Sequence, residues 1–365
     1  MTGSSTEARS RHWPVKRIVQ TVLSVVVVVG IFVFAIPKIA DYSAVWKTIT
    51  SMTSLELASL VAFTIFNLFT YWWANMAALP RLTLGQSAVV TQTTTSVSNV
   101  LPAGGAIGVG LTYSILGSWG FEKGPISLYV LVTGIWNIFM KLGLPVISLG
   151  LLAATGQLTS ALVLAAVIGV VVLLVALVLF GLMLWKKSFA RRIGDRLGRI
   201  VSSLLKLVHR PPVSNWGEAA MRFRRETIDL VAARWAWITL TTVVSHLALY
   251  FILLLSLRHV GISEQEVSAL QVLSVFAFGR LISALPITPG GLGVIELGYI
   301  GGLVAAGGDK SQVVAAVLLF RALTYGIQIP LGAFTYLIWQ RKQDWRKEPS
   351  SGTDRTGERA TATAS

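Results

Sequence analysis

The sequence predicts an all-α, polytopic membrane protein with about six full spans plus two re-entrant helical hairpins in an inverted-topology repeat. Three observations predict it. Only 13% of the 365 residues are charged and 54% are hydrophobic, whereas soluble domains carry about 25% charged residues. Six apolar runs, near 18–37, 54–79, 125–154, 159–185, 235–257 and 311–340, have the ~20-residue length of one crossing. Two more stretches, 86–120 and 269–308, are roughly twice that length and are broken midway by Pro and Gly, at "LPAGGAIGVG" and "LPITPGGLGVIELG".

The first run, between Arg17 and Lys38, follows the basic residues Arg9, Arg11, Lys16 and Arg17. It lacks the short core and small-residue cleavage site of a signal peptide, so it reads as an uncleaved span behind a cytoplasmic N-terminus, residues 1–17. The net charge of +15 does not point to nucleic acid, because the basic residues flank apolar segments as the positive-inside rule requires. The chain has no cysteine, which excludes disulfides and thiolate metal sites.

Charge also sets the parity of the two long stretches. The segment 186–234 is strongly basic and the residues after 340 include Arg341, Lys342, Arg346 and Lys347, so both belong on the cytoplasmic side. Two spans return the chain inside by Arg81, and the spans 125–154 and 159–185 lead to the basic segment. The stretch 86–120 must therefore cross an even number of times. The same argument between Arg234 and Arg341 applies to 269–308. Each is two short spans or one re-entrant hairpin. Arms near the lower length limit for a crossing, bounded by Pro and Gly, favour hairpins, the first entering from the cytoplasm and the second from outside.

Four landmarks recur at a near-constant offset. Gln86 and Gln271 lie 185 apart, Pro102 and Pro286 184, Gly104 and Gly290 186 with Gly105 and Gly291 beside them, and Pro145 and Pro330 185. Each half then reads span, span, hairpin, span, beginning inside in the first half and outside in the second. The expected organisation is a first membrane repeat over 18–154 and an opening span of the second over 155–185. The cytoplasmic segment 186–234 follows, then the rest of the second repeat over 235–340 and a disordered tail over 341–365. Within the basic segment, Phe189, Ile193, Leu197, Ile200, Leu204 and Leu207 share one helical face, predicting an amphipathic helix on the inner membrane surface.

Broken backbone at membrane depth is tolerated only where it is buried in protein or lines a wet cavity. Thr288 and Pro289 suit a helix start and Gly290 and Gly291 permit close backbone approach, so the second arm is expected to begin mid-membrane with free N–H groups that suit a lipid phosphate. Residues 102–106 offer the first hairpin the same opportunity.

"PITPGGLGVIE" followed by "LLFRALTYGIQIPLG" resembles the second signature of the flippase-like membrane family, which includes the transmembrane region of lysyl-phosphatidylglycerol synthases and the YbhN-like proteins. The resemblance covers most of 16–340, through Pro286, Pro289, Gly290, Gly291, Gly293, Glu296 and Arg321. It implies a membrane protein handling lipids. The first motif, "NVLPAGGAIGVG", with Asn99, Pro102, Gly104 and Gly105, departs from many relatives. They carry a charge after the hairpin glycine where this chain has only uncharged residues from Ala106 to Gly110. The aminoacyl-transferase domain of the synthases has no counterpart in this sequence, so lipid synthesis is not implied.

Glu296 lies about 10 Å beyond Pro289 and Arg321 about 16 Å beyond Lys310 at helical rise, both near mid-bilayer. There, charged side chains serve function, a structural ion pair, or both. Arg280 and Lys141 are candidates for gripping phosphate. Snorkelling is the simpler account of Arg280, nearer the outer end of its arm. The run "QSAVVTQTTTSVSN" is expected to line a hydrated groove or bond neighbouring helices, and His246 to be a packed, hydrogen-bonded histidine.

The leading reading is a cell-membrane lipid transporter, with both termini cytoplasmic. It moves an anionic or aminoacylated phospholipid, or a lipid-linked intermediate, between leaflets. No catalytic residue, cofactor, metal or nucleic-acid partner is expected. An intramembrane lipid-phosphate enzyme and an assembly partner of an envelope enzyme are the alternatives.

Overall fold

The computed structural model describes residues 42–101, 103–156, 160–207, 215–284, 288–342 and 345. The expected first span near 18–37, Pro102, Pro286 and nearly all of the expected disordered tail lie outside these residues. No strand occurs among the described residues. Five helical stretches are long and apolar enough to cross a membrane: Ser54–Ala78, Lys123–Ala154, Ala166–Trp185, Trp216–His259 and Lys310–Arg341. They match five of the six expected runs. The chain is an all-α integral membrane protein.

A short helix, α1 (Tyr42–Thr50), precedes α2 (Ser54–Ala78). Thr53 starts α2 with a capping box: its hydroxyl accepts the Glu56 N–H while Glu56 Oε2 accepts the Thr53 N–H at 2.7 Å. The first broken stretch forms α3 (Leu84–Val100) and α4 (Gly104–Ser118), followed by the span α5 (Lys123–Ala154). The second half contains α6 (Ser160–Trp185), α7 (Lys187–Leu207) and α8 (Trp216–His259), then a second broken stretch, α9 (Ala269–Ile282) and α10 (Val294–Ala305). It closes with α11 (Lys310–Arg321), a π-helical turn over Ala322–Gly326 and α12 (Gln328–Arg341).

The arms α9 and α10, of 14 and 12 residues, are about 21 and 18 Å long. That is short of the ~30 Å hydrocarbon layer. The arms α3 and α4, of 17 and 15 residues, reach about 25 and 22 Å. Both broken stretches open alike. Thr83 caps α3 with Gln86 at its third position, and Ser268 caps α9 with Gln271 at its third position. Two residues that mark the repeat in sequence thus do the same physical work.

Two boundaries differ from expectation. The basic segment is not one unit: α7 ends at Leu207, and residues 216–234 form the first half of the 44-residue α8, continuous with the span. Helix α8 runs on because 216–234 contains neither Pro nor Gly after Gly217. The last span is interrupted by the π turn. Pro330 has no N–H to offer the Gly326 carbonyl, and the chain takes up the slack with an Ile327 N–H to Ala322 O bond of 2.9 Å.

Packing crosses between the halves. α3 lies against α12, the last element of the second half, and α9 lies against α5, the last span of the first; α2 lies against α8. The central core joins Ile252 and Leu253 of α8 to Phe276 of α9, Tyr299 and Leu303 of α10 and Val313–Val317 of α11. A second cluster holds the first hairpin, with Leu79, Val90, Ile115 and Ile126. Helix α6 packs on α5 along one side, with Gly169 against Val146 and Phe180 against Trp136 and Phe139, and elsewhere exposes apolar residues such as Val167, Val171, Leu174 and Val178, the mark of a lipid-facing helix.

In α7 the stripe Ala190, Gly194 and Gly198 is buried against Trp216 and Ala220 at the start of α8, while Leu197 and Ile200 stay exposed. The small residues admit the neighbouring helix; of the predicted apolar face, Leu197 and Ile200 are left uncovered, while Phe189 and Ile193 are half-buried.

Candidate functional site

The second hairpin turns through three glycines with positive φ: Gly290 (60°), Gly291 (70°) and Gly293 (81°). Only glycine adopts this region at low cost, and three such residues within four positions fold the chain back tightly. Pro289 opens a single 3-10 turn over Pro289–Gly291. At Gly290 any Cβ would collide with the Tyr325 ring, and at Gly291 with Ile295.

Helix α10 then starts at Val294, five residues later than expected, and Thr288 does not cap it. The Thr288 hydroxyl donates to Leu292 O at 2.8 Å. The free helix terminus is occupied from within: Glu296 Oε2 accepts the Gly293 N–H at 2.6 Å. The expected anion site at this helix start is filled by the protein's own carboxylate.

The other oxygen of Glu296 meets Arg321. Arg321 Nε donates to Glu296 Oε1 at 2.6 Å, and its Nη2 donates to Gly290 O at 3.3 Å. Glu296 is 1% exposed and the Arg321 side chain 14%. The guanidinium also lies over the Tyr325 ring, 4.4 Å from its centroid. Tyr325 then reaches the first hairpin, donating its hydroxyl to Asn99 O at 2.8 Å. The two hairpin tips therefore converge on one tyrosine, which the π turn aims inward.

The first hairpin is closed by small residues. Ala103 adopts φ 56° as the N-cap of α4, and a Cβ at Gly104 would strike the Ser98 backbone. Ser98 Oγ donates to Gly104 O at 3.2 Å. Gly105 has open space around it, so nothing in the packing requires glycine there. Asn99 contributes its main-chain carbonyl, not its side chain, to the Tyr325 contact. Pro102 lies outside the described residues.

The polar run of α3 bonds neighbouring helices. Asn75 Nδ2 donates to Thr91 Oγ1 at 2.6 Å, Thr93 and Thr335 share a hydrogen bond of 3.0 Å, and Ser96 Oγ donates to Ile329 O at 3.2 Å. A Cβ at Gly332 would strike Ser96 and the Gln92 carbonyl, so α3 and α12 approach closely. Of the two expectations for this run, helix packing holds for these residues.

Arg280 corrects the sequence reading. It lies in the last turn of α9, the end nearer the hairpin tip, and so does not snorkel to the outer end of its arm. Its Nη2 lies 3.4 Å from His246 Nε2 on α8. His246 is buried and hydrogen-bonded as expected, its Nδ1 2.9 Å from Thr242 O. Sequence reasoning assigned no role to Tyr325. Its signals were the four-residue spacing from Arg321 and the proline five residues on.

The model of the lysylphosphatidylglycerol synthase transmembrane region matches residues 21–332. The chain belongs to that family. No curated protein matches the sequence closely enough to count. Membership in the lysylphosphatidylglycerol synthase transmembrane family agrees with the resemblance carried by residues 286–296 and 318–332, and it ties the chain to lipid metabolism.

Proposed function

We propose that this member of the family is a lipid transporter, moving a phosphate-bearing headgroup between leaflets while the acyl chains remain in the bilayer. The observation that carries the reading is the meeting of both hairpin tips on Tyr325, beside the buried Glu296–Arg321 pair. An ion pair inside a membrane is costly, and broken backbone there must border protein or water. Both features coincide at one place.

The cross-packing of α3 on α12 and α9 on α5, with matched capping boxes at Gln86 and Gln271, supports an inverted repeat of two re-entrant hairpins. In such a repeat the halves rock about a central site, opening it to each leaflet in turn. The geometry corresponds to a closed arrangement: Glu296 holds Arg321, and Tyr325 ties the tips together. Opening requires the Tyr325–Asn99 bond to break. Glu296 orients Arg321, whose Nη1 has no partner among the described residues and remains available to an anion. Gly290, Gly291 and Gly293, with Pro289, form the hinge-like tip; Gly104 and Gly105 form its counterpart. No nucleotide-binding loop occurs in the sequence, so in this reading the energy comes from a lipid or ion gradient, or from none. The termini are cytoplasmic and the membrane is the cell membrane.

Purified protein in vesicles with headgroup-labelled phosphatidylglycerol tests this reading. Labelled lipid in the inner leaflet should become accessible to an external quencher faster than in empty vesicles, and Arg321→Gln should abolish the acceleration. No acceleration for phosphatidylglycerol or its aminoacylated form would refute it.

A further inference from the structure

Arg280, His246 and Lys141 stand on three helices that pack against one another, and no ion pair joins any of them to a carboxylate among the described residues. Arg280 (α9) faces His246 (α8) at 3.4 Å. Lys141 stands on α5, the helix that packs against α9. Counting helical rise from the ends at Ala269, His259 and Ala154, the three sit about 16 to 20 Å in, a common depth.

The cluster is incomplete as it stands. Arg280 Nε is fully buried with no hydrogen-bond partner among the described residues. Lys141 has no ion pair among the described residues, where the ion pairs are Arg258–Glu264, His259–Glu56 and Arg321–Glu296. His246 gives Arg280 no counter-charge. Its Nδ1 faces a carbonyl, which only accepts, so Nδ1 carries the proton and Nε2 offers Arg280 a neutral lone pair. Two cations in a medium of low dielectric repel strongly, and an anion between them reverses the sign of that interaction.

The contrast with Arg321 is informative. Arg321 has Glu296 as a built-in counter-ion, and the start of α10 is filled by the same carboxylate. The buried Tyr299, three residues on from Glu296, packs against Gly279 next to Arg280, where a Cβ would overlap its ring. The charge set is also lopsided: at the repeat offset, Thr95 stands where Arg280 does and Trp136 where Arg321 does.

We infer that Lys141 and Arg280 form an anion site that takes the phosphate of a lipid headgroup, with His246 positioning the Arg280 guanidinium, separate from the Glu296–Arg321 pair. Guanidinium offers the planar fork that phosphate oxygens accept, and Lys141 supplies a second charge. The inference rests on the transport reading for its choice of a lipid phosphate. The anion site itself does not.

The test uses the full chain in detergent, with native mass spectrometry to count bound lipid and the vesicle assay in parallel. Wild type should retain phosphatidylglycerol over neutral diacylglycerol by at least tenfold, and Arg280→Gln and Lys141→Gln should each cut that preference about fivefold or more. Lys141 makes no ion pair among the described residues, so Lys141→Gln keeps the test valid if Arg280→Gln fails to fold. Arg280→Lys, which keeps the charge and loses the fork, should retain an intermediate preference. Undiminished preference in both Gln variants overturns the site. Displacement of the lipid by millimolar inorganic phosphate, with the same dependence on Lys141 and Arg280, supports the anion site but overturns the headgroup assignment. Flipping by wild type that both Gln variants leave unchanged overturns the inference and spares the transport reading. Anion binding without flipping does the reverse.

Discussion

Arg321 donates its Nε–H to Glu296 Oε1 at 2.6 Å, fastening the end of α11 to the first turn of α10. Since the second oxygen of Glu296 holds the Gly293 N–H, one carboxylate fixes both the hairpin tip and the guanidinium. Removing one partner strands a buried charge, which costs about 3–5 kcal/mol. Glu296→Gln and Arg321→Gln should each lower the thermal midpoint in detergent markedly. The double variant should lose less than the sum of the two, because neither charge is left unpaired. Additive losses in thermal melts would show that the two side chains do not depend on each other.

Tyr325 is the contact between the hairpins. Tyr325→Phe removes the hydroxyl bonded to Asn99 O while keeping the ring over Arg321, a loss of about 1 kcal/mol. A cysteine at Val100, which is exposed beside Asn99, should react with a membrane-permeant maleimide faster in the Tyr325→Phe background.

Glycine is required where a neighbour or the backbone angle demands it. Gly290→Ala combines φ 60° with a collision against the Tyr325 ring, whereas Gly105 has open space. Gly290→Ala should therefore destabilise by more than 1 kcal/mol and Gly105→Ala by less than about 0.5 kcal/mol, read from melting curves.

Topology is accessible because the chain lacks cysteine. Lys123 at the start of α5 is exposed and should be shielded from an impermeant thiol reagent in intact cells. Asp309 is the natural partner probe, but its carboxylate caps α11 by accepting the Ser311 and Gln312 N–H groups. The exposed neighbour Lys310 carries the cysteine without that loss, and it should label from outside. Labelling at Lys123 instead would reverse the orientation of the whole chain.

The exposed stripe of α7 should lie in the headgroup region. Cysteines at Leu197 and Ile200 carrying an environment-sensitive dye should report an apolar setting in vesicles containing anionic lipid, and one at Arg196 a polar setting. Equal spectra at all three positions would place α7 in water.

Much of this was legible in one dimension. Span positions follow from run length, because lipid demands about 20 apolar residues per crossing. The breaks between Val100 and Gly104 and between Ile282 and Val294 follow from Pro and Gly, and the Glu296–Arg321 pair from the expense of lone charges at depth. Other features were not legible, for reasons that can be named. Thr288 reads as a cap on local pattern, yet a charged competitor three residues into α10 takes that position. The polar run of α3 reads equally as groove or seam, and only the approach of α12 at Gly332 decides for a seam.

The sequence alone thus determined the helical membrane class, the order of spans and breaks, and which residues bear charge within them, since these follow from local composition and the cost of unpaired groups in lipid. Tertiary structure decided which charges meet. Glu296 with Arg321 lies 25 residues apart, Arg280 with His246 34, and Tyr325 with Asn99 226. Contacts across such distances depend on how helices from different parts of the chain pack together, and no local pattern encodes that.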